Sequence, residues 1–416
     1  MKWTSGLLLA VAVGCASSSS RTATSTLPRS TRAPLPDDLV AHLASRADRE
    51  LAPLPTWPFR STDGKTLGAV EAVQAPTIRA NGDADALEVP LGEAGRLECR
   101  LHRGRIDSAG SVYTTFAALS QKFAARVLRL VDVAVEAGQP MLFSAFTWFT
   151  PNFAGQKEVG NLQVGVAVHP RHSLVCTHDA IGYAASFQRI FKGLVASLET
   201  SGGAPRRTDA RFASVDVLKL GDKAIGYTET LVWSREGGGA VIERRGSAIV
   251  PRAPQLGSAD TLQLLRTDAA GFIESGHYVD AENAEISVSI DLVRQDGGSD
   301  YRATGRREGQ RVDAHFSTAR GLDSDLRQVG LVRDLLQAPP GAQVEVEEYD
   351  ASLGPTRPYR TVYSRKQGAP DVVVGTSSNG LTSWFRPDTA GWSVHQEIVS
   401  SGVTLVSERA WVHGVP

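Results

Sequence analysis

The 416-residue chain carries no surplus of either charge, with 44 Lys+Arg against 45 Asp+Glu. A broad nucleic-acid surface needs a basic excess, so nucleic acid is excluded as a partner. No apolar run approaches the ~20 residues that cross a bilayer as a helix. The G-x-S-x-G elbow and the H-E-x-x-H pair are missing, and with them the common serine-hydrolase and zinc-protease signatures. STDGKT, Ser61 to Thr66, echoes the end of a phosphate loop, but the required first glycine is replaced by Phe59. No repeat of fixed period is visible, which removes solenoids and propellers. Three cysteines are few enough to be accounted for one by one. What remains is 42% hydrophobic, 21% charged and rich in glycine, with 40 residues of it, a texture of strands and turns.

The N-terminus supplies the first positive statement. Lys2 precedes an apolar run from Leu7 to Val13, and small residues lead into Cys15, the layout of a secretory signal. Ala12-Val13-Gly14-Cys15 resembles the bacterial lipobox, departing from it at Ala12, where leucine is commoner. The resemblance implies that residues 1–14 are removed and that Cys15 is acylated, making the protein a membrane-anchored lipoprotein of the cell envelope. Ala16, not being acidic, implies the outer membrane. Residues 15–48 then form the acylated cysteine and a tether, since the stretch from Ala16 to Pro36 is mostly Ser, Thr, Ala, Arg and Pro, which bury too little apolar surface to offset the entropy of ordering. The alternative is an ordinary secretory signal with a chance cysteine.

With Cys15 acylated, Cys99 and Cys176 remain, and an oxidising periplasm predicts that they pair. Such a bridge contributes about 4 to 5 kcal/mol in the chain-entropy treatment. Two separate buried thiols are the alternative.

The body divides at TSGGAPRRTDAR, where Gly, Pro and charge interrupt the patterning, giving a first domain over 49–200, a linker over 201–211 and a second domain over 212–416. In the first, spacings of three and four predict a long helix holding Phe116, Leu119, Phe123, Val127, Leu130, Val131 and Ala134, and a second helix holding Phe187, Ile190, Phe191 and Leu194. Between them MLFSAFTWFT, VGNLQVGVAV and SLVCTH read as strands, the middle one alternating Leu162, Val164, Val166 and Val168. This order predicts an α+β layer sandwich with an antiparallel sheet. It resembles the PsbP-like sandwich in texture over Leu87 to Glu199, which implies a binding or assembly factor.

The second domain reads as a mostly antiparallel β domain. AEISVSIDLVR sets Ile286, Val288, Ile290 and Leu292 against polar residues, six further segments repeat the habit, and one helix, DSDLRQVGLVRDLLQ, is capped by Asp323 or Ser324. The pattern is similar to the half-barrel of the lipoprotein carriers LolA and LolB, which implies a cup for an acyl chain.

No residue is nominated as catalytic and no cofactor is implied. HPRHSLVCTHD offers His169, His172 and His178 as metal ligands, with His102 as a distant partner, although one strand cannot wrap a tetrahedral ion. The same cluster, as Cys176, His178 and Asp179, is the basis of an envelope-hydrolase alternative. Arg302, Arg306 and Arg307 could meet an anion, and Trp384 and Trp392 could line a ligand cleft, but a solvated hairpin and aromatics packing a sheet edge are the commoner cases. The expected function is non-enzymatic binding of an apolar or anionic envelope ligand, a lipid, a glycan or a partner protein, with the hydrolase or a purely structural envelope component as alternatives.

Overall fold

Alternation of side chains over short segments turns most of the chain into strands. The computed structural model describes residues 49–122, 126–151, 157–169, 171–200, 207–252, 255–400 and 403–415. The expected signal, Cys15 and the tether lie outside the described residues, as do 201–206 of the linker.

The first part runs β1 (Thr56–Arg60), β2 (Thr66–Glu71), β3 (Thr77–Asn81), β4 (Ala84–Pro90), β5 (Arg96–His102), α1 (Ser108–Lys122), β6 (Arg126–Glu136), β7 (Gln139–Pro151), β8 (Lys157–Val168), β9 (Ser173–His178), α2 (Ala184–Ser197) and β10 (Glu199–Thr200). Strands β3-β4-β5-β9-β8-β7-β6 form one antiparallel sheet, and β1-β2-β10 a small second one. On one face of the larger sheet, Leu87, Leu97, Cys99 and Cys176 pack under Phe187, Ile190, Phe191 and Leu194 of α2. Gly165 on β8 admits the Phe191 ring, which an added Cβ would meet at 3.1 Å. On the other face, Leu142, Phe146, Val164 and Val166 meet Val112 and Phe116 of α1 together with Val215, Tyr227 and Ile249 from the second part.

The second part runs β11 (Phe212–Leu220), β12 (Lys223–Ser234), β13 (Ala240–Arg252), β14 (Gln255–Thr267), β15 (Ile273–Glu282), β16 (Glu285–Arg294), β17 (Asp300–Arg307), β18 (Gln310–Ser317), α3 (Asp325–Gln337), β19 (Gln343–Glu348), β20 (Tyr359–Lys366), β21 (Ala369–Ser377), β22 (Thr382–Pro387), β23 (Ser393–Ser400) and β24 (Val403–Gly414). All fourteen strands belong to one sheet, in which every neighbour is a sequence neighbour except at the middle, where β11 pairs with β24. Its edges are β18 and β19, the two strands that α3 connects. Inward residues from both wings, such as Ile242, Ile290, Tyr363 and Phe385, share one cluster with Val329, Val332 and Leu335 of α3. The sheet therefore wraps the helix.

The α+β layer sandwich is overturned: the chain is mostly β, with large antiparallel sheets and three α-helices among the described residues. The error is traceable to one segment. The helix expected from Phe116 to Gly138 stops at Lys122, and Arg126–Glu136 is β6. Val131, Val133 and Val135 alternate with Asp132, Ala134 and Glu136, a period of two in β-branched residues that favours a strand. The valines turn toward α1 and Ala134 toward α2. The expected cap of α3 also differs. Ser324 occupies the N-cap position without capping by its side chain, which donates instead to the Gly271 carbonyl at 2.5 Å, and the Asp323 carboxylate accepts the Glu347 amide at 2.8 Å. Ile286, expected to face inward, is exposed.

Candidate functional site

Helix α1 covers only part of the sheet face it lies on. Among the described residues no element covers that face over β3, β4, β5 and β9, and the flank of α1 forms a wall beside it, leaving a groove of about 800 Å³. This volume falls within the ~300 to 1,000 Å³ of small-molecule sites. Alternation explains the floor. In β5, Leu97, Cys99 and Leu101 point into the core while Glu98, Arg100 and His102 point out. Antiparallel register then aligns the outward residues in rows across the strands. One row is Thr77, Glu88, Glu98 and Thr177; the next is Arg79, Ala86, Arg100 and Val175.

The two rows differ in what they offer. Arg96 ties the carboxylates of the first row together, at 3.3 Å from Glu88 and 2.7 Å from Glu98. In the second, Ala86 stands between two arginines, and neither Arg79 nor Arg100 has a carboxylate within ion-pair distance among the described residues. His102, at the end of β5, is held below the usual imidazole range by burial, with Asp83 opposing and Arg100 adding to the shift. At neutral pH it is an uncharged donor and acceptor.

The wall is built on a buried cap. Asp260 of β14 accepts the amides of Ala109 at 3.0 Å and Gly110 at 2.7 Å at the start of α1, while Ser108 shares a 2.8 Å hydrogen bond with Tyr227. A carboxylate at a helix N-terminus satisfies amides that have no helical partner. Burial nevertheless raises its pKa to about 7 against the pull of Ser247 and those amides.

No protein-family model matches the chain, and no curated protein matches its sequence. Among solved structures it is similar to a β-barrel-like protein of domain of unknown function DUF1849 from Brucella abortus, at 14% identity and a TM-score of 0.38, over 49% of this chain and 97% of that one. It is also similar to a DUF1089 family protein from Pseudomonas aeruginosa, at 16% identity and a TM-score of 0.27, over 47% of this chain and 94% of that one. Likeness this slight leaves function to be argued from the residues.

The residues singled out in the sequence are scattered. Cys99 and Cys176 sit opposite each other on β5 and β9 and are joined by a disulfide. Cys176 therefore has no thiol to ionise, and the nucleophile of the hydrolase alternative is lost. His169 and His172 stack at 4.6 Å before β9, whereas His178 lies at its far end, bonded to the Ala94 carbonyl at 2.8 Å and stacked on Phe187 at 5.9 Å. Burial lowers His169 to about 3 and His172 to about 4. Among the described residues no group of three His, Cys, Asp or Glu side chains could hold a metal ion.

Arg302 is held by Asp313 at 3.0 and 3.1 Å, Arg307 lies 3.7 Å from Glu308, and Arg306 is exposed opposite Arg311 on the β17–β18 hairpin. Most of the breadth of the sheet separates them from Trp384. Trp384 lines a shallow depression of about 310 Å³ with Lys366, Arg386 and His395. Trp392 is fully buried, edge-on to Phe212 at 4.4 Å, and belongs to the core.

The space around α3 is filled. The cavity found at its N-terminal end measures about 30 Å³ and is lined by Arg244, Asp325, Tyr278 and other polar groups, room for about two waters and far less than an acyl chain needs. Arg244 pairs there with Asp325.

The sequence reading missed Arg79, Glu88, Glu98 and Arg100. Their signal was present in TIRAN and RLECRLH, whose outward positions are polar, and in ADALEVP, where Glu88 and the small Ala86 point the same way.

Proposed function

We propose that the protein is a non-enzymatic binding protein of the cell envelope, tethered through an acylated Cys15, whose open groove holds a ligand carrying negative charge. One observation carries this reading: Arg79 and Arg100 flank Ala86 on the sheet face, and among the described residues neither has a carboxylate partner. Guanidiniums present donors in a planar fork that suits carboxylate and phosphate. The small Ala86 side chain leaves the space between them open. An anchored, binding role fits a chain whose only cysteines beyond Cys15 are used in a disulfide. The outer membrane follows from Ala16 if the sorting rule of enteric bacteria applies to this host.

Inorganic pyrophosphate, which carries charge and no hydroxyl-rich body, is a suitable probe of the charge itself. Titration followed by ³¹P line broadening should show saturable binding that Arg79→Ala with Arg100→Ala abolishes and that Arg306→Ala with Arg311→Ala leaves unchanged. Binding that survives loss of the groove arginines sinks the reading. For the anchor, the intact mass of membrane-extracted protein should show cleavage before Cys15 and added acyl chains, and Cys15→Ser should release the protein to the soluble fraction.

A further inference from the structure

The groove is lopsided in its hydrogen-bonding chemistry, and this narrows the ligand. A hydroxyl has one proton to give and two lone pairs to offer. On the wall, Ser111 gives its proton to the Asp107 carbonyl at 2.7 Å, Thr114 to Gly110 at 2.8 Å and Thr115 to Ser111 at 3.0 Å. On the floor, Thr177 gives its proton to the Glu98 carbonyl at 3.3 Å. All four line the groove and turn only lone pairs toward its contents. Glu88 and Glu98 are acceptors as well, each held by Arg96 through Oε1. Against these acceptors stand Arg79 and Arg100, which are donors alone, while Thr77, Asn81 and His102 at the groove's edge can act either way.

A complementary ligand is therefore rich in donors over most of its length and presents an anionic acceptor at one place. The glutamate and arginine rows lie two residues apart along the strands, about 7 Å, so its hydroxyls and its acid group sit within roughly one sugar ring of each other. We infer that the groove binds an acidic oligosaccharide, its carboxylate or phosphate between Arg79 and Arg100 and its hydroxyls donating to the glutamate row and the threonine wall. This rests on the anion-binding reading above and adds the ligand class. A purely cationic polyamine also offers donors, but the guanidiniums of Arg79 and Arg100 repel it.

The test is calorimetric titration of the full chain with three probes: tri-galacturonate, neutral maltotriose and pyrophosphate. Tri-galacturonate should bind at least tenfold more tightly than either of the others. Arg79→Ala with Arg100→Ala should weaken it by tenfold or more. Thr114→Val should weaken tri-galacturonate by threefold to tenfold and leave pyrophosphate unchanged, and Thr114→Ser, which restores the hydroxyl, should recover the affinity.

Equal affinity for tri-galacturonate and pyrophosphate, with no effect of Thr114→Val, overturns the oligosaccharide while the anion reading stands. Equal affinity for maltotriose and tri-galacturonate, or binding of none of the three, overturns both. Repeating the titration with lipopolysaccharide-bearing vesicles separates the sources of the acidic sugar: preference for the free trimer indicates a soluble glycan, and preference for the vesicles a lipid-borne one.

Discussion

The two large sheets are treated in opposite ways. The fourteen-stranded sheet curls around α3 and is filled, leaving about 30 Å³ at one end of the helix. The seven-stranded sheet is covered by α1 over only part of one face, and about 800 Å³ remains open beside it. Shape alone would have favoured the curled sheet, the more enclosed of the two. Its interior is closed by apolar packing, so curvature there serves stability, and the flatter, half-covered sheet supplies the space for a ligand. The filled interior also buries charge-bearing groups: burial raises Asp280 to about 8, with Asp350 and Glu282 adding to the shift.

The largest expected effect tests what holds the open region in shape. Replacing Cys99 and Cys176 together by serine removes a cross-link between residues separated by 77 positions. By the chain-entropy argument this costs about 4 to 5 kcal/mol. Denaturant unfolding should show the loss, and because the bridge ties β5 to β9 beneath the outward Glu98, Arg100 and Thr177, pyrophosphate affinity should fall with it.

Hollowing the filled region comes next. Leu335→Ala, deep in the cluster around α3, should destabilise by about 2 to 5 kcal/mol. Affinity for the groove probes should not change. A variant that gained binding of a fatty acid at α3 would reverse the contrast between the two surfaces.

Acid–base behaviour gives a smaller effect. Asp280 titrates near 8 when folded and near 4 when unfolded, so the folded state holds its proton through that window. Stability from this group is highest below pH 4, falls as pH rises toward 8, and is lowest above it. Asp280→Asn removes the slope and should raise stability at pH 9 by on the order of a few kcal/mol, with no gain at pH 4, measured by denaturant unfolding at both values.

The smallest effect belongs to the groove. His102 sits beside Arg100 with its pKa depressed, so as pH falls below the usual imidazole range it gains charge. Affinity for sulfate, whose charge is constant over this range, should rise as pH falls below the usual imidazole range, and His102→Gln should flatten the profile.

Local periodicity made much of the chain legible. The strands around Val164 and Ile290, the α2 face of Phe187, Ile190, Phe191 and Leu194, and the pairing of Cys99 with Cys176 all follow from side-chain spacing or from counting. Arg126–Glu136 failed because its apolar residues satisfy spacings of three and four as well as two, and only the valine content separates the cases. The groove was illegible for a different reason. Arg79, Ala86 and Arg100 lie on three strands, and their alignment depends on register, which no single segment carries. Whether a helix would cover that face depended in turn on where α1 ends.

The pairing of β11 with β24 places Phe212 opposite Gly414. Every other junction in the large sheet forms between segments adjacent in the chain, but this central one joins segments at opposite ends of the second part. Contacts so distant along the sequence form slowly, because the loop entropy is lost before the contact is gained. Until that pairing forms, the two halves of the sheet are separate, each with an unpaired inner edge.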